Sequence, residues 1–189
     1  MNESIKPVLH LMVNNTCSNN CPLCCNKQYD VDEIPVVTVE ELKSVDTVCL
    51  TGGQPIRNID ACIRLCKEIE DSYKNIKQIF IYINGAEFLY DFNEPEDLET
   101  FWELANVKNL KIGLTMSPKS DKDWESLDLF SEDIRLFKPN RMYCFSNKDE
   151  KKAKEIFPFG DVDIVRRVWQ KDFVPAPNTI FRRLPIWLL

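Results

Sequence analysis

The sequence predicts an α/β fold, a partial (β/α)6 barrel built on a parallel sheet, and three observations carry that expectation. Short apolar runs rich in Val, Ile and Leu alternate with amphipathic stretches of helical period, through about six such pairs. The spacing between successive runs leaves room for right-handed crossovers, which parallel neighbours require. Six units are fewer than the eight of a closed barrel, so the sheet is expected to stay open. A chain of 189 residues suits one well-buried domain. Residues 1–172 are read as that domain, and 173–189 as a Pro-rich tail that packs on it or on a partner.

The elements follow in order. Pro7 to Val13 is short and apolar and runs into the turn-prone Asn14 and Asn15, which suits a buried first strand. The stretch from Cys17 to Cys25 then falls in the loop past that strand's carboxyl end. Thr38 and Glu41 have the spacing of a capping box, opening a helix to about Val45. Thr47 to Leu50 reads as the second strand and leads directly into Thr51-Gly-Gly-Gln-Pro55. Asn58 or Asp60 caps a helix to about Tyr73, with Ile59, Ile63, Cys66 and Ile69 on one face. Gln78 to Ile83 is the third strand, ending at Asn84-Gly85. Helix over 96–107, strand over 110–115, helix over 121–130, strand over 141–145, helix over 148–156 and strand over 162–168 complete the pattern. Pro175, Pro177 and Pro185 exclude a regular helix or a central strand from the tail.

Ligands of such sheets bind beyond the carboxyl ends of the strands. The cysteine loop, the Gly-Gly turn and Asn84-Gly85 all fall at that end, so three separate segments are expected on one rim.

Composition narrows the function classes. The net charge of −6 and a pI near 5.0 argue against general nucleic-acid binding, which rests on clustered Lys and Arg. No apolar run approaches the ~18 residues of a membrane span, and the N-terminus has neither a basic leader nor a small-residue cleavage site. A cytoplasmic protein that begins at Met1 is the expectation. Eight cysteines in that setting point to metal or redox use and not to a disulfide framework.

Cys17, Cys21 and Cys24 stand three residues and then two apart, so one loop can curl its thiolates around a small metal cluster. Three protein ligands leave one iron open, and an open position separates a catalytic metal from a structural one. Zinc held by Cys17, Cys21, Cys24 and Cys25 is the competing reading. It is weakened because the adjacent Cys24 and Cys25 rarely both reach one tetrahedral ion. Cys25 is read as a bystander. Cys62 and Cys66 lie one helical turn apart on an apolar face, and Cys49 and Cys144 lie in strands, so these four read as core. His10, the only histidine, reads as a core or rim residue. The pairs Arg166-Arg167 and Arg182-Arg183 read as surface charges, any one of which could hold a cofactor carboxylate or an anionic substrate in a bidentate pair.

Cys17-Ser-Asn-Asn-Cys21-Pro-Leu-Cys24 resembles the C-x3-C-x2-C signature of the radical S-adenosylmethionine enzymes, and Thr51-Gly-Gly-Gln-Pro55 resembles their Gly-Gly-Glu-Pro motif. The order and spacing of elements from Pro7 to about Val168 match as well. The resemblance implies a 4Fe-4S cluster on Cys17, Cys21 and Cys24, with S-adenosylmethionine chelating the open iron. It further implies cofactor contacts from Leu23, Gly52, Gly53, Gln54 and Pro55, from Asn84 at the third strand's end, and from Thr115 or Ser117 at the fourth. Gln54 stands where the family usually has Glu. One electron would cleave the sulfonium to methionine and a 5'-deoxyadenosyl radical, which takes hydrogen from a substrate. A donor such as flavodoxin or ferredoxin is implied.

Within that class the compact chain resembles glycyl-radical-enzyme activases, which act on a protein partner, and also small-molecule modifiers of nucleoside-like or pterin-like compounds; a peptide substrate is a third expectation. A short chain leaves a rim open for a macromolecular partner or a homodimer. From another class, a catalytically degenerate iron-sulfur or zinc-binding interaction module fits the Gln54 departure.

Overall fold

The alternating pattern folds into one parallel sheet of seven strands in the order β6-β5-β4-β3-β2-β1-β7. The structure is a computed structural model and describes residues 6–17, 21, 24–90, 92, 95–170, 172 and 174–186. The strands are β1 (Val8–Asn14), β2 (Thr47–Gly52), β3 (Gln78–Ile83), β4 (Lys111–Met116), β5 (Asn140–Cys144), β6 (Val162–Arg166) and β7 (Thr179–Arg183). From β1 to β6 each strand lies beside its predecessor, as repeated right-handed crossovers dictate. The α/β class and the open parallel sheet are as expected.

The helices are α1 (Val39–Ser44), α2 (Ile59–Ser72), α3 (Glu87–Tyr90), α4 (Pro95–Ala105), α5 (Asp121–Leu129), α6 (Ser131–Ile134) and α7 (Asn147–Ile156). Their starts follow local chemistry. Thr38 and Glu41 form the reciprocal capping box that their spacing predicts, and Ser120 and Asp123 form a second one on α5. Asn58 caps α2 by accepting from the Ala61 amide at 3.0 Å. The four-residue helices α3 and α6 were not expected, because one turn carries no periodicity to read.

The sheet has one strand more than the six expected, and the tail supplies it. Thr179–Arg183 is a seventh strand, parallel to β1 in the register Val8↔Thr179 through Met12↔Arg183. Pro175 and Pro177 precede it and Pro185 follows it, so none removes an amide from the ladder. Residues 35–37 border its other side, where the Arg183 amide donates to the Pro35 carbonyl at 3.0 Å. Residues 179–183 of the tail thus pack on the domain as an added strand, and β7 stays off the middle of the sheet.

Side chains alternate across the strands, and only one parity meets the helices. Leu9, Leu11, Val48, Leu50, Ile79, Ile81, Ile112 and Leu114 join helix residues such as Cys62, Cys66, Ile69, Leu104 and Leu127 in one core. Its aromatic centre packs Phe101 against Phe137 at 4.5 Å and against Phe88 at 5.1 Å between ring centres. Cys49, Cys62, Cys66 and Cys144 are all buried, as read from the sequence. No described helix is long and apolar enough to cross a membrane.

Candidate cofactor site at the carboxyl rim

The rim beyond the strands' carboxyl ends holds a cavity of about 200 Å³ lined by the thiols Cys17, Cys21 and Cys24. Gly52 and Gly53 line it from the end of β2, Asn84 and Glu87 from the end of β3, and Ser117 and Lys119 from the end of β4. Tyr143 and Phe145 come from β5 and its exit, and Trp169 from beyond β6. The three segments expected on one rim are therefore together.

Why the Gly-Gly turn is required is visible in its contacts. A Cβ on Gly53 would stand 1.8 Å from the Thr16 carbonyl oxygen, and one on Gly52 would stand 2.1 Å from that of Asn14. Gly52 also has φ +121°, a region that side chains avoid. The two glycines thus admit the incoming cysteine loop itself. Asn14 fastens the join: its Nδ2 donates to the Gln54 carbonyl at 2.7 Å, and its Oδ1 accepts from the Gly53 and Gln54 amides at 3.1 Å each. The Gln54 amide also donates to the Thr16 carbonyl at 2.9 Å. Asn14 is buried, and sequence reading assigned it only to a turn. Its sequence signal is slight: an amide side chain directly after a buried apolar strand, ahead of the cysteines.

The β3 and β4 loops are braced in the same manner. The buried Glu87 carboxylate accepts from the Asn84 and Gly85 amides at 2.9 and 2.6 Å, and Ser126 donates to the Gly85 carbonyl at 2.7 Å. Asp123 accepts from Ala86 on one side and from Lys119 and Ser120 on the other. Burial raises the Glu87 carboxyl above the usual range, against the amides that pull it down. Asn84, held by this network, donates from Nδ2 to Cys21 Sγ at 3.5 Å.

Of the residues expected to meet a cofactor, Gly52, Gly53, Asn84 and Ser117 line the cavity. Gln54 and Pro55 are buried and stand outside the lining. Thr115 is also buried, and its hydroxyl accepts from Arg141 Nε at 2.9 Å. Leu23 and the Cys25 side chain lie outside the described residues. Glu87, Lys119, Phe145 and Trp169 were missed. Trp169 faces Phe145 at 6.2 Å, with Lys119 Nζ 5.7 Å above its ring.

The donor set suits a soft, thiophilic group. Three cysteine thiols outside any disulfide share the cavity, while Glu87 is the one carboxylate among the described lining residues and spends both oxygens on backbone amides. Burial pushes the Cys21 thiol up to about 11; Lys119 opposes the shift, and the nearby Asp123, Cys17 and Cys24 add to it. Metal binding to such thiols displaces their protons. Among the described residues no three His, Cys, Asp or Glu side chains converge closely enough to share one metal ion.

A scan against models of known protein families matches none of them, and no curated protein matches the chain.

Proposed function

We propose that this chain is a radical S-adenosylmethionine enzyme. Cys17, Cys21 and Cys24 would hold a 4Fe-4S cluster in the rim cavity. When bound, the cluster would supply one electron, drawn from a flavodoxin- or ferredoxin-like donor, to cleave S-adenosylmethionine to methionine and a hydrogen-abstracting 5'-deoxyadenosyl radical. The observation that carries the proposal is the shared cavity of three thiols and the Gly-Gly turn. These come from the carboxyl ends of β1 and β2, which the sheet sets side by side in the register Asn14↔Gly52.

The chain's own part is binding and placement. Asn14 fastens the Gly-Gly turn to the end of β1, directly before the cysteines. Gly52 and Gly53 keep that wall of the cavity free of side chains. Trp169 and Phe145 offer flat apolar faces on which an adenine can stack, and Ser117 and Asn84 offer polar groups for a ribose. Gln54 is fully buried, so a carboxylate at that position would be buried too; the neutral amide avoids that cost while the backbone contacts of the turn remain.

Reconstitution with iron and sulfide without oxygen, followed by dithionite and S-adenosylmethionine, tests the proposal. Formation of 5'-deoxyadenosine and methionine is expected, and Cys21→Ala is expected to abolish it. A chain that binds the cluster yet yields no 5'-deoxyadenosine is an iron-sulfur interaction module, and one that takes up only zinc has a structural metal.

A further inference from the structure

Beside the cysteine cavity, on the sheet face that the helices leave open, lies a second cavity of about 380 Å³. His10, Tyr29, Tyr82, Arg141, Tyr143 and Arg167 supply its polar and aromatic lining, and no acidic residue appears among its described lining residues. Thr51, Tyr82 and Tyr143 line both cavities, so the two are direct neighbours. We propose that this second cavity is the substrate pocket, that it takes a flat molecule carrying a carboxylate or phosphate group, and that Arg141 and Arg167 receive the oxyanion. The inference rests on the proposed function for the reaction that the substrate undergoes, but not for its binding.

The arginines carry the argument. Among the described residues, Arg135, Arg166 and Arg182 each pair with a carboxylate: Asp161 at 2.8 Å, Glu150 at 2.8 Å and Glu41 at 2.6 Å. Arg183 donates to the Ile34 carbonyl. Arg141 and Arg167, like the exposed Arg57 and Arg64, have no carboxylate partner among the described residues; Arg141 is half-buried and Arg167 is exposed, but unlike Arg57 and Arg64 both line this cavity. The Arg141 guanidinium lies 3.6 Å over the Phe80 ring and bonds Thr115 Oγ1 at 2.9 Å and Cys49 Sγ at 3.5 Å. Those contacts hold its plane in place without neutralising it. Arg167 stacks 4.6 Å over Tyr143 and reaches its hydroxyl at 3.3 Å. Two oriented, unneutralised guanidinium groups in a cleft without carboxylates match an oxyanion, for which their fork geometry is suited. In a chain of net charge −6, a cavity of this sign is a local exception. Burial and these same two arginines hold His10 down to about 4, so it adds a neutral imidazole face to the wall.

Flatness follows from the aromatic walls. Tyr82 stands edge-on to Tyr143 at 6.1 Å and beside His10 at 5.7 Å, while Tyr29 meets Phe181 at 5.4 Å. Such faces favour a ring over a branched aliphatic chain. A volume of about 380 Å³ falls in the small-ligand range, which begins at roughly 300 Å³.

The test titrates the full chain, carrying its reconstituted cluster, with three fluorescent probes: 2-naphthoate, 2-naphthyl phosphate and the uncharged 2-naphthamide. At least one oxyanion is expected to bind roughly tenfold or more tighter than the amide, and the tighter of the two identifies the anion. Arg167→Gln and Arg141→Lys should each lower oxyanion affinity about tenfold while leaving amide affinity unchanged. Arg166→Gln, which disrupts a surface ion pair, should change nothing. Equal binding of all three probes, no binding of any, or insensitivity to Arg167→Gln overturns the inference. So does displacement of the probe by S-adenosylmethionine alone, which would assign the arginines to the cofactor. Oxyanion selectivity in a chain that never yields 5'-deoxyadenosine would sink the proposed reaction and leave the pocket standing; 5'-deoxyadenosine without selectivity would do the reverse.

Discussion

The helix-covered face of the sheet and its open face are built from the same strands and share almost no chemistry. On β1 to β4 the covered face carries Leu9, Leu11, Leu50, Ile81 and Leu114, all buried among apolar neighbours. The residues one step along each strand are His10, Cys49, Tyr82 and Thr115, with Arg141 following on β5. Because strand side chains alternate with a period of two, one chain segment can devote alternate positions to packing and to ligands. Apolar packing and polar chemistry are separated by parity along the sequence and not by region. A register slip of one residue on any strand would damage both.

That contrast can be broken or sharpened by measurement. The largest effect belongs to the covered face: Phe101→Ala, at the centre of the aromatic cluster, should cost about 3–5 kcal/mol in urea unfolding. A loss below 1 kcal/mol would show that this face is not where stability resides. Next comes the pH dependence of His10 on the open face. Its value in the folded chain, about 4, lies below its ordinary 6.5, so the unfolded chain takes up the proton first. Stability from this group is complete above pH 6.5 and lost as pH falls towards 4, by at most about 3 kcal/mol. His10→Gln should flatten that slope relative to the parent chain, and identical slopes would remove His10 as its source. The smallest effect is Tyr82→Phe, which removes one hydroxyl contact to Tyr143 and should cost about 1 kcal/mol. A cost matching that of Phe101→Ala would erase the distinction between the faces.

Local signals were legible because their physics is local. Thr38 with Glu41 announces a capping box within four residues, and the structure contains it. The alternation of apolar runs sets the parallel sheet, since each run buries itself only by a crossover to its neighbour. The rim assembly was readable for the same reason: strand ends in a parallel sheet share one side, so Cys21, Gly53 and Asn84 had to meet.

What was missed depends on partners distant in sequence. Nothing near Thr179 states that it will pair with Val8. The four arginines at 166, 167, 182 and 183 look alike as dipeptides. Only the fold gives Arg166 its Glu150 and Arg182 its Glu41 while leaving Arg167 on a tyrosine. Arg141 opens a short strand and was unremarked, because its reach over Phe80 to Cys49 crosses two neighbouring strands. Trp169 followed a strand predicted to run to Val168, and its approach to the cysteines depends on how β6 ends at Arg166.

The open barrel leaves β6 and β7 as its two outermost strands, and both are guarded. Asp163 and Arg166 stud β6 with charge, and Arg183 on β7 exchanges backbone hydrogen bonds with residues 35 and 37. Bare ladder edges recruit strands from other molecules, whereas charges and a covering segment repel them. Growth of the sheet from copy to copy through these edges is therefore disfavoured.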